Sequence, residues 1–386
     1  MKTKSIFRFL LSGAFICVCG LATGQPPRGP LARSPQINPD RTVVFRYIAP
    51  LAKNVKLSVQ SEKAPVQMTK DASGIWSVTI GPVNPDIYPY SFNVDGVQVM
   101  DPGNVAFFPN ERFKGSLLDV PGDPPLIHSL KNVPHGTITY EYYQSVEGTT
   151  GTLLVYTPPG YEKETGKKYP VFYLVGGTTD TEETWFKVGR ANMILDNLIA
   201  EGKAKPMILV MPYGNIEARI AEQKGGLKPA DPSGRESPEA VSRAKNYGND
   251  LVNNIIPYIE KNYRAISNGE SRAIGGFSRG GGQTLRTGFG NIDKFSWICC
   301  YSAYLTPQEM ESEYKYVCAD PDKTNKQLKM LWVSVGNEDF LYKSTVEFMD
   351  YLKTNKVNYK SLITSGGHTW MNTRTFLTET AQLLFK

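Results

Sequence analysis

The chain has 386 residues, 40% of them hydrophobic, and a formal net charge of +6, of which Lys2, Lys4 and Arg8 supply three units. A chain of this length exceeds what one hydrophobic core usually fills, so we expect two domains. The small net charge and the lack of a basic cluster in the sequence argue against a nucleic-acid-binding protein.

The first 24 residues have the pattern of a secretory signal peptide. The basic start is followed by the apolar run Phe9–Leu21, which is short for a membrane span, and by small residues before Gln25. We expect residues 1–24 to be removed, rather than kept as an anchor, which leaves a secreted or periplasmic protein without membrane contact. Residues 25–39 are rich in Pro, Arg and Gly without periodicity, which predicts a linker.

Residues 40–122 predict a small antiparallel β-sandwich. Short segments that alternate apolar and polar residues are separated by turn signals such as Asp95-Gly96. Trp76 lies in one of these segments, and we interpret it as a core residue rather than as a sugar-stacking platform. The clearest segments are Thr42–Tyr47, Val55–Val59, Gly74–Ile80 and Tyr88–Val94.

Residues 123–386 begin with a hairpin-like pair, 136–145 and 151–157, and then alternate strands with helices. This alternation predicts an α/β domain with a parallel sheet and helices on both faces. The predicted strands are Val171–Val175, Met207–Met211, Ala273–Phe277, Trp297–Tyr301, Met330–Val335 and Tyr359–Ile363. The predicted helices cover about residues 191–201, 248–263, 282–289, 343–355 and 375–385.

Residues 276–280 form the sequence Gly-Phe-Ser-Arg-Gly, with Ser278 at the centre. A strand is predicted before this segment and a helix after it, an arrangement in which a sharp turn exposes a serine hydroxyl. Glycines fit such a turn because bulky side chains would clash there. Ser278 is therefore a candidate nucleophile. The alternative is a glycine-rich connection in another kind of α/β protein.

Asp339 and His368 are candidate partners of Ser278. Each directly follows a predicted strand, and open α/β sheets carry their chemistry at the carboxyl ends of strands. Taken alone, His368 fits a surface loop and Asp339 fits a turn or a helix N-cap, with Glu338 as a competing acid. The order Ser278, Asp339, His368 and their common position at strand ends favour a catalytic triad.

Cys299 and Cys300 lie in a predicted buried strand, and we interpret them as structural. The sequence leaves open whether a disulfide forms with Cys318. The spacing of these three cysteines does not match a metal site. The sequence implies neither a metal nor an organic cofactor.

The N-terminal segments Arg46–Leu57, Met68–Val78 and Ile87–Gly96 resemble the early-set immunoglobulin-like module that precedes many bacterial carbohydrate esterases. That module is related to family forty-eight carbohydrate-binding modules. The resemblance leaves open whether the module binds sugar or has a structural or substrate-framing role.

Residues 136–386 resemble carbohydrate esterase family one, the esterase D-like group with feruloyl and acetylxylan esterases. The resemblance implies an α/β-hydrolase fold with Ser278 as nucleophile, Asp339 as acid and His368 as base. It rests on the segment around Ser278 and on Tyr156–Tyr161, Tyr169–Leu174, Val210–Asn215, Ile256–Glu260, Gly336–Phe340 and Gly366–Trp370.

The sequence departs from this family after the first central strand. These esterases usually carry His-Gly-Gly-Gly there, whereas this chain has Val-Gly-Gly-Thr-Thr-Asp at residues 175–180. Backbone amides build an oxyanion hole, so Gly177 or Thr178 is expected to donate beside Arg279. Arg279 replaces a common methionine, and its guanidinium fits either a structural ion pair or a contact with an acidic substrate.

Together these features predict an exported serine esterase that removes ester-linked acyl groups from plant cell-wall polysaccharide such as xylan. The feruloyl group is the favoured acyl group. The alternatives are an acetylxylan or siderophore-type esterase, and a non-catalytic glycan-binding protein that has kept the triad. Polysaccharide or oligosaccharide esters are the expected partners, and the sequence does not indicate an oligomeric state.

Overall fold

The computed structural model describes residues 33–226 and 245–386. The predicted targeting segment and most of the predicted linker lie outside these ranges. The strands are β1 (Gln36–Ile37), β2 (Val43–Ile48), β3 (Val55–Val59), β4 (Val66–Gln67), β5 (Thr69–Lys70), β6 (Ile75–Ile80), β7 (Asp86–Val94), β8 (Val97–Val99), β9 (Ser116–Val120), β10 (Thr137–Gln144), β11 (Thr150–Thr157), β12 (Val171–Val175), β13 (Ile208–Pro212), β14 (Arg272–Phe277), β15 (Trp297–Tyr301), β16 (Met330–Gly336) and β17 (Lys360–Thr364).

The helices differ widely in length. They are α1 (Thr184–Lys187), α2 (Ala191–Ala200), α3 (Ile216–Lys224), α4 (residues 245–262, π-helical over Leu251–Ile255), α5 (Arg279–Gly290), α6 (Pro307–Glu313), α7 (Lys315–Ala319), α8 (Pro321–Gln327), α9 (Tyr342–Thr354) and α10 (Trp370–Ala381). The sequence prediction missed α1, α3 and α6–α8, which are short or polar and so carry a weak periodic signal.

The N-terminal strands form two antiparallel sheets that share one core. One sheet has the order β1-β2-β6-β5, and the other has the order β4-β3-β7-β8, with β9 also paired to β7. Alternation places Phe45 and Leu57 in the shared core, while their sequence neighbours face outward. Trp76 is 5% exposed and its indole Nε1 donates to the Ala49 carbonyl at 2.9 Å, which confirms its prediction as a core residue.

The second sheet has eight strands in the order β10-β11-β13-β12-β14-β15-β16-β17. Strands β12 to β17 pair in parallel, as predicted, and the hairpin β10–β11 joins the same sheet by antiparallel pairing with β13. The sheet is therefore mixed rather than purely parallel, because a hairpin turn as short as 145–149 can only connect antiparallel strands.

Both faces of this sheet are buried. Tyr173 and Val175 of β12 belong to one apolar cluster, and Phe172 and Leu174 to the other. Helix α5 covers the first face and α10 covers the second. A strand that is covered on both sides reads as a continuous apolar run, which explains why the central strands were predictable from sequence.

Helix α10 begins five residues earlier than predicted, at Trp370 rather than near residue 375. The Thr369 hydroxyl caps the helix by accepting a hydrogen bond from the backbone N–H of Asn372. The first turns contain buried polar residues, including Arg374, which hide the apolar periodicity that marks a helix.

Candidate active site

Ser278 lies in the sharp turn between β14 and α5. Its backbone has φ 58° and ψ −119°, a conformation that a non-glycine residue adopts only under strain. A Cβ atom at Gly276 would lie 2.5 Å from the backbone of Gly280, and one at Gly280 would lie 2.3 Å from the Gly176 carbonyl oxygen. The glycines on both sides are thus required by close backbone packing, as the sequence predicted.

Asp339 and His368 follow β16 and β17, and the structure brings them into contact. His368 Nδ1 lies 2.7 Å from Asp339 Oδ2, while the backbone N–H of Leu341 donates to Asp339 Oδ1 at 2.8 Å. Burial alone would raise the pKa of Asp339, but the hydrogen bond and charge of His368 and the Leu341 N–H lower it below its ordinary value of 3.8. Glu338, the competing acid, is exposed.

Two phenyl rings pack against the imidazole of His368. The ring centroids of Phe277 and Phe340 each lie 4.6 Å from that of His368. Phe277 also contacts Trp370, at 5.3 Å between centroids. Sequence reasoning assigned no role to Phe340, although its position directly after Asp339 was the available signal.

Ser278 and His368 line the same cleft, which has a volume of about 690 Å³. Its described lining has an aromatic part and a part made of hydroxyl and amide side chains. The aromatic part contains Phe108, Phe113, Phe277, Phe340 and Trp370. The polar part comes mainly from the N-terminal sheet of β3, β7 and β8 and contains Ser58, Gln60, Ser91, Asn93 and Gln98.

The loop after β12, residues 176–181, contains the predicted oxyanion donors Gly177 and Thr178. The backbone N–H of Gly177 donates to Asp180 Oδ2 at 2.8 Å, so this donor already has an acceptor within the loop. Arg279 Nη2 donates to the Gly177 carbonyl at 3.3 Å. Thr178 lines the cleft together with Ser278. The side chain of Asp180 thus holds the N–H of Gly177, and the side chain of Arg279 holds its carbonyl.

A segment from the N-terminal part of the chain, residues 108–113, supports this loop. Asn110 Nδ2 donates to Asp180 Oδ1 at 3.0 Å, and the backbone N–H of Glu111 donates to the Thr179 carbonyl at 2.8 Å. Burial and the charge of Glu111 raise the pKa of Asp180 to about 6, although Gly177, Asn110 and Arg279 favour its ionised form. Sequence reasoning missed Asn110 and Asp180.

The described residues also bear on the predictions about cysteines, metal sites and membrane contact. Cys299, Cys300 and Cys318 are free, and the first two are buried. Within residues 33–226 and 245–386, no cluster of three or more His, Cys, Asp or Glu side chains is arranged to hold a metal ion. No helix in the described part of the chain is both long and apolar enough to cross a membrane.

The order of the eight-stranded sheet and the serine at its central strand-to-helix turn define an α/β hydrolase. Residues 145–382 match the Esterase family, described as "Putative esterase", and this match covers more than half of the chain. The protein belongs to that family.

The chain is also similar to curated proteins. It is 30% identical over 373 residues to an endo-1,4-beta-xylanase/feruloyl esterase of Xylanibacter ruminicola, a match that covers 94% of this chain and 47% of that protein. It is 29% identical over 201 residues to endo-1,4-beta-xylanase Y of Acetivibrio thermocellus, covering 49% of this chain and 15% of that protein. The chain therefore spans at most about half the length of these relatives.

Solved structures share the fold. The CE1 ferulic acid esterase of Anaeromyces mucronatus has a TM-score of 0.54 and 22% identity, covering 67% of this chain and 93% of that chain. The enterobactin esterase FES of Shigella flexneri has a TM-score of 0.61 and 14% identity, covering 89% of this chain and 92% of that chain.

Proposed function

We propose that the protein is a serine carboxylic-ester hydrolase that forms an acyl-enzyme on Ser278. The observation that carries this proposal is the contact of His368 Nδ1 with Asp339, which leaves Nε2 as the nitrogen for Ser278 in the same cleft. Nε2 accepts the hydroxyl proton as Ser278 Oγ attacks the ester carbonyl, and then protonates the departing alcohol. A water molecule, deprotonated by the same nitrogen, then releases the acid and regenerates Ser278.

The tetrahedral oxyanion needs backbone donors. We assign this role to the amides of Arg279 and Thr178. The amide of Arg279 belongs to the first turn of α5, where backbone N–H groups and the helix dipole favour negative charge. Thr178 is favoured over Gly177 because the Gly177 N–H already donates to Asp180.

The substrate class that the cleft supports best is an aromatic acyl ester of a plant polysaccharide. Within this class, feruloylated xylan is the favoured substrate. Phe108, Phe113 and Phe340 form an apolar surface beside Ser278 that suits an aromatic acid and is larger than an acetyl group needs. The name of the Xylanibacter ruminicola relative adds support for a feruloyl ester.

A panel of esters tests this function. We expect turnover of methyl ferulate to exceed turnover of acetylated xylan and of a catecholate trilactone, and Ser278→Ala to lower it by roughly 10⁴-fold or more with an unchanged circular dichroism spectrum. A preference for acetylated xylan or for the trilactone would instead identify one of the other esterase types. Failure to hydrolyse any ester, with retention on insoluble xylan, would favour a glycan-binding protein.

We also propose that the protein is exported, because residues 1–24 have the pattern of a cleaved signal peptide. N-terminal sequencing of the protein recovered from the periplasm or medium should begin near Gln25. Recovery of the full-length chain in the cytosolic fraction would contradict this proposal.

A further inference from the structure

The loop after β12 contains a strained residue. Thr179 has φ 63°, in the left-handed region that a β-branched residue rarely adopts. Such a conformation persists only where neighbouring contacts hold it. Thr178, whose amide we assign to the oxyanion, is the adjacent residue, so a change in the Thr179 backbone would displace that donor.

The contacts that hold Thr179 come from the segment of residues 108–113. The backbone N–H of Glu111 donates to the Thr179 carbonyl at 2.8 Å. Next to it, Asn110 forms an antiparallel β-bridge with Asp180, and their side chains are joined at 3.0 Å. The loop keeps its shape through these bonds only if Glu111 is itself fixed in place.

The loop after β13 fixes the side chain of Glu111. Oε1 of this carboxylate accepts hydrogen bonds from the Tyr213 hydroxyl and, at 3.0 Å, from Asn215 Nδ2. Asn215 Nδ2 also lies 3.2 Å from Oε2. Burial and the hydrogen bond to Glu111 raise the pKa of Tyr213 well above its ordinary value, so its hydroxyl remains a donor.

The loop after β13 is also joined to α5, the helix that follows Ser278. Gln283 of this helix is 3% exposed, and its Nε2 donates to the Gly214 carbonyl at 2.9 Å. A Cβ atom at Gly214 would lie 2.6 Å from Val175 Cγ2, so this loop packs closely against the end of β12. Glu111 therefore connects the loop that carries one proposed oxyanion donor to the loop that is bonded to the helix carrying the other.

We propose that Glu111 is a positioning residue for ester hydrolysis: its anchored carboxylate fixes the backbone N–H that keeps Thr179 in its strained conformation. The placement of the Thr178 amide relative to the Arg279 amide then depends on Glu111. This inference rests on the proposed ester hydrolysis and gives the N-terminal part of the chain a role in the reaction. Because the two amides face the oxyanion, Glu111 acts on the tetrahedral intermediate rather than on the bound ester.

The first test compares two substitutions of Glu111 in the full chain, with methyl ferulate as substrate. We expect Glu111→Ala to lower kcat by about tenfold or more with an unchanged KM, because small displacements of reacting groups can cost up to about 10²-fold in rate. Glu111→Gln should recover most of this loss, since Tyr213 and Asn215 both donate to Oε1 and glutamine supplies one carbonyl oxygen. Arg112→Ala, at the adjacent exposed residue, is the matched control and should retain full activity.

Two further measurements separate positioning from a general structural role. An arylboronic acid adds the Ser278 oxygen to boron and so resembles the tetrahedral intermediate. Its affinity should fall in Glu111→Ala by about the same factor as kcat, while the affinity for ferulate stays unchanged. Thr179→Gly should make the loss caused by Glu111→Ala several-fold smaller, because glycine adopts a positive φ without strain.

Thermal melts should verify that each variant folds, and Tyr213→Phe, which removes one donor but keeps the ring, should show a smaller loss of the same kind. Full kcat in Glu111→Ala, an equal loss of boronic acid and ferulate affinity, or an undiminished loss in the Thr179→Gly background would overturn the positioning role. Each of these outcomes leaves ester hydrolysis by the unmodified protein intact. Failure of the unmodified protein to cleave any ester would instead overturn the proposed function itself.

Discussion

The imidazole of His368 is held by three neighbours. Asp339 contacts Nδ1, and the rings of Phe277 and Phe340 each pack against the imidazole. A carboxylate at this position selects the tautomer that carries its proton on Nδ1 and stabilises the imidazolium that forms during ester attack. The lowered pKa of Asp339 keeps this carboxylate ionised at neutral pH.

Asp339→Asn should lower kcat for methyl ferulate by about 10⁴-fold, because an amide no longer selects the required tautomer of His368. The matched control is Glu338→Gln, which removes the adjacent, exposed carboxylate and should retain most of the activity. A greater loss in Glu338→Gln than in Asp339→Asn would identify Glu338 as the catalytic acid.

The guanidinium of Arg279 was open to two interpretations, and its contact with the Gly177 carbonyl favours a role in holding the oxyanion loop. Arg279→Met keeps the backbone N–H at this position, so we expect a loss of about tenfold in kcat that is equal for neutral aryl esters and for glucuronate-containing xylan esters. A loss confined to the carboxylate-bearing substrates, and weakened by added salt, would show that Arg279 contacts the substrate instead.

At the scale of elements, the loop after β12 depends on a segment that is distant in sequence. Residues 108–113 lie beside residues 177–180, where Asn110 and the backbone of Glu111 contribute hydrogen bonds. The Thr184 hydroxyl also donates to the Pro109 carbonyl at 2.7 Å. The N-terminal part of the chain thus supports the loop that carries the proposed oxyanion donor.

Asp180 should make this support dependent on pH. Its pKa of about 6 means that it ionises as the pH rises through 6, and only the carboxylate is a strong acceptor for the Gly177 N–H. We expect the kcat ratio of the unmodified protein to Asp180→Asn to rise several-fold between pH 5 and pH 7.

Glu182→Gln, in the same loop region, is the control for Asp180→Asn and should show no such change in the ratio. A ratio for Asp180→Asn that stays constant from pH 5 to pH 7 would contradict a role for Asp180 ionisation in positioning the loop.

At the scale of the whole molecule, a buried polar cluster joins the N-terminal sheets to the esterase sheet. Arg374 of α10 is 2% exposed; it contacts the Asp86 carboxylate and donates to the Ile87 carbonyl at 3.0 Å. His128 Nε2 lies 3.5 Å from Asp86 Oδ1. Ile87, in the same strand β7, packs in the apolar cluster of the esterase sheet. The N-terminal region is therefore anchored by both burial and charge pairing.

We expect His128 to lower the free energy of unfolding at acidic pH. Burial and the charge of Arg374 lower the pKa of His128 from 6.5 to about 4, against the opposing effect of Asp86. Because the unfolded chain binds the proton more readily, this contribution to the free energy of unfolding is complete above pH 6.5 and is lost as the pH falls towards 4.

The decline should reach at most about 1.4 kcal/mol per pH unit, and His128→Gln should lack it. Urea unfolding of both proteins at pH 7.5 and pH 5 provides the measurement, since other titrating groups contribute to both. Equal pH dependence of the two proteins would mean that His128 does not titrate with a lowered pKa.

Much of the architecture is encoded locally. The apolar runs of β12 and β14 to β16 mark strands covered on both faces, and the alternating segments near Val55 and Tyr88 mark strands covered on one face. The short strands β4, β5 and β8 were not predicted, because two or three residues carry no detectable period. Their positions depend on pairing with β3, β6 and β7.

The sequence alone determined the turn around Ser278, because its glycines are a local requirement of backbone packing, and it placed Asp339 and His368 after consecutive strands. Tertiary structure decided which acid contacts His368, which amide of the 176–181 loop already has an acceptor, and which side chains of the N-terminal sheet line the cleft. Asn110 and Asp180, which form one of these hydrogen bonds, are 70 residues apart in the chain. Such contacts leave no periodic signal in the chain, because they join residues that are far apart in the sequence and meet only in the tertiary structure.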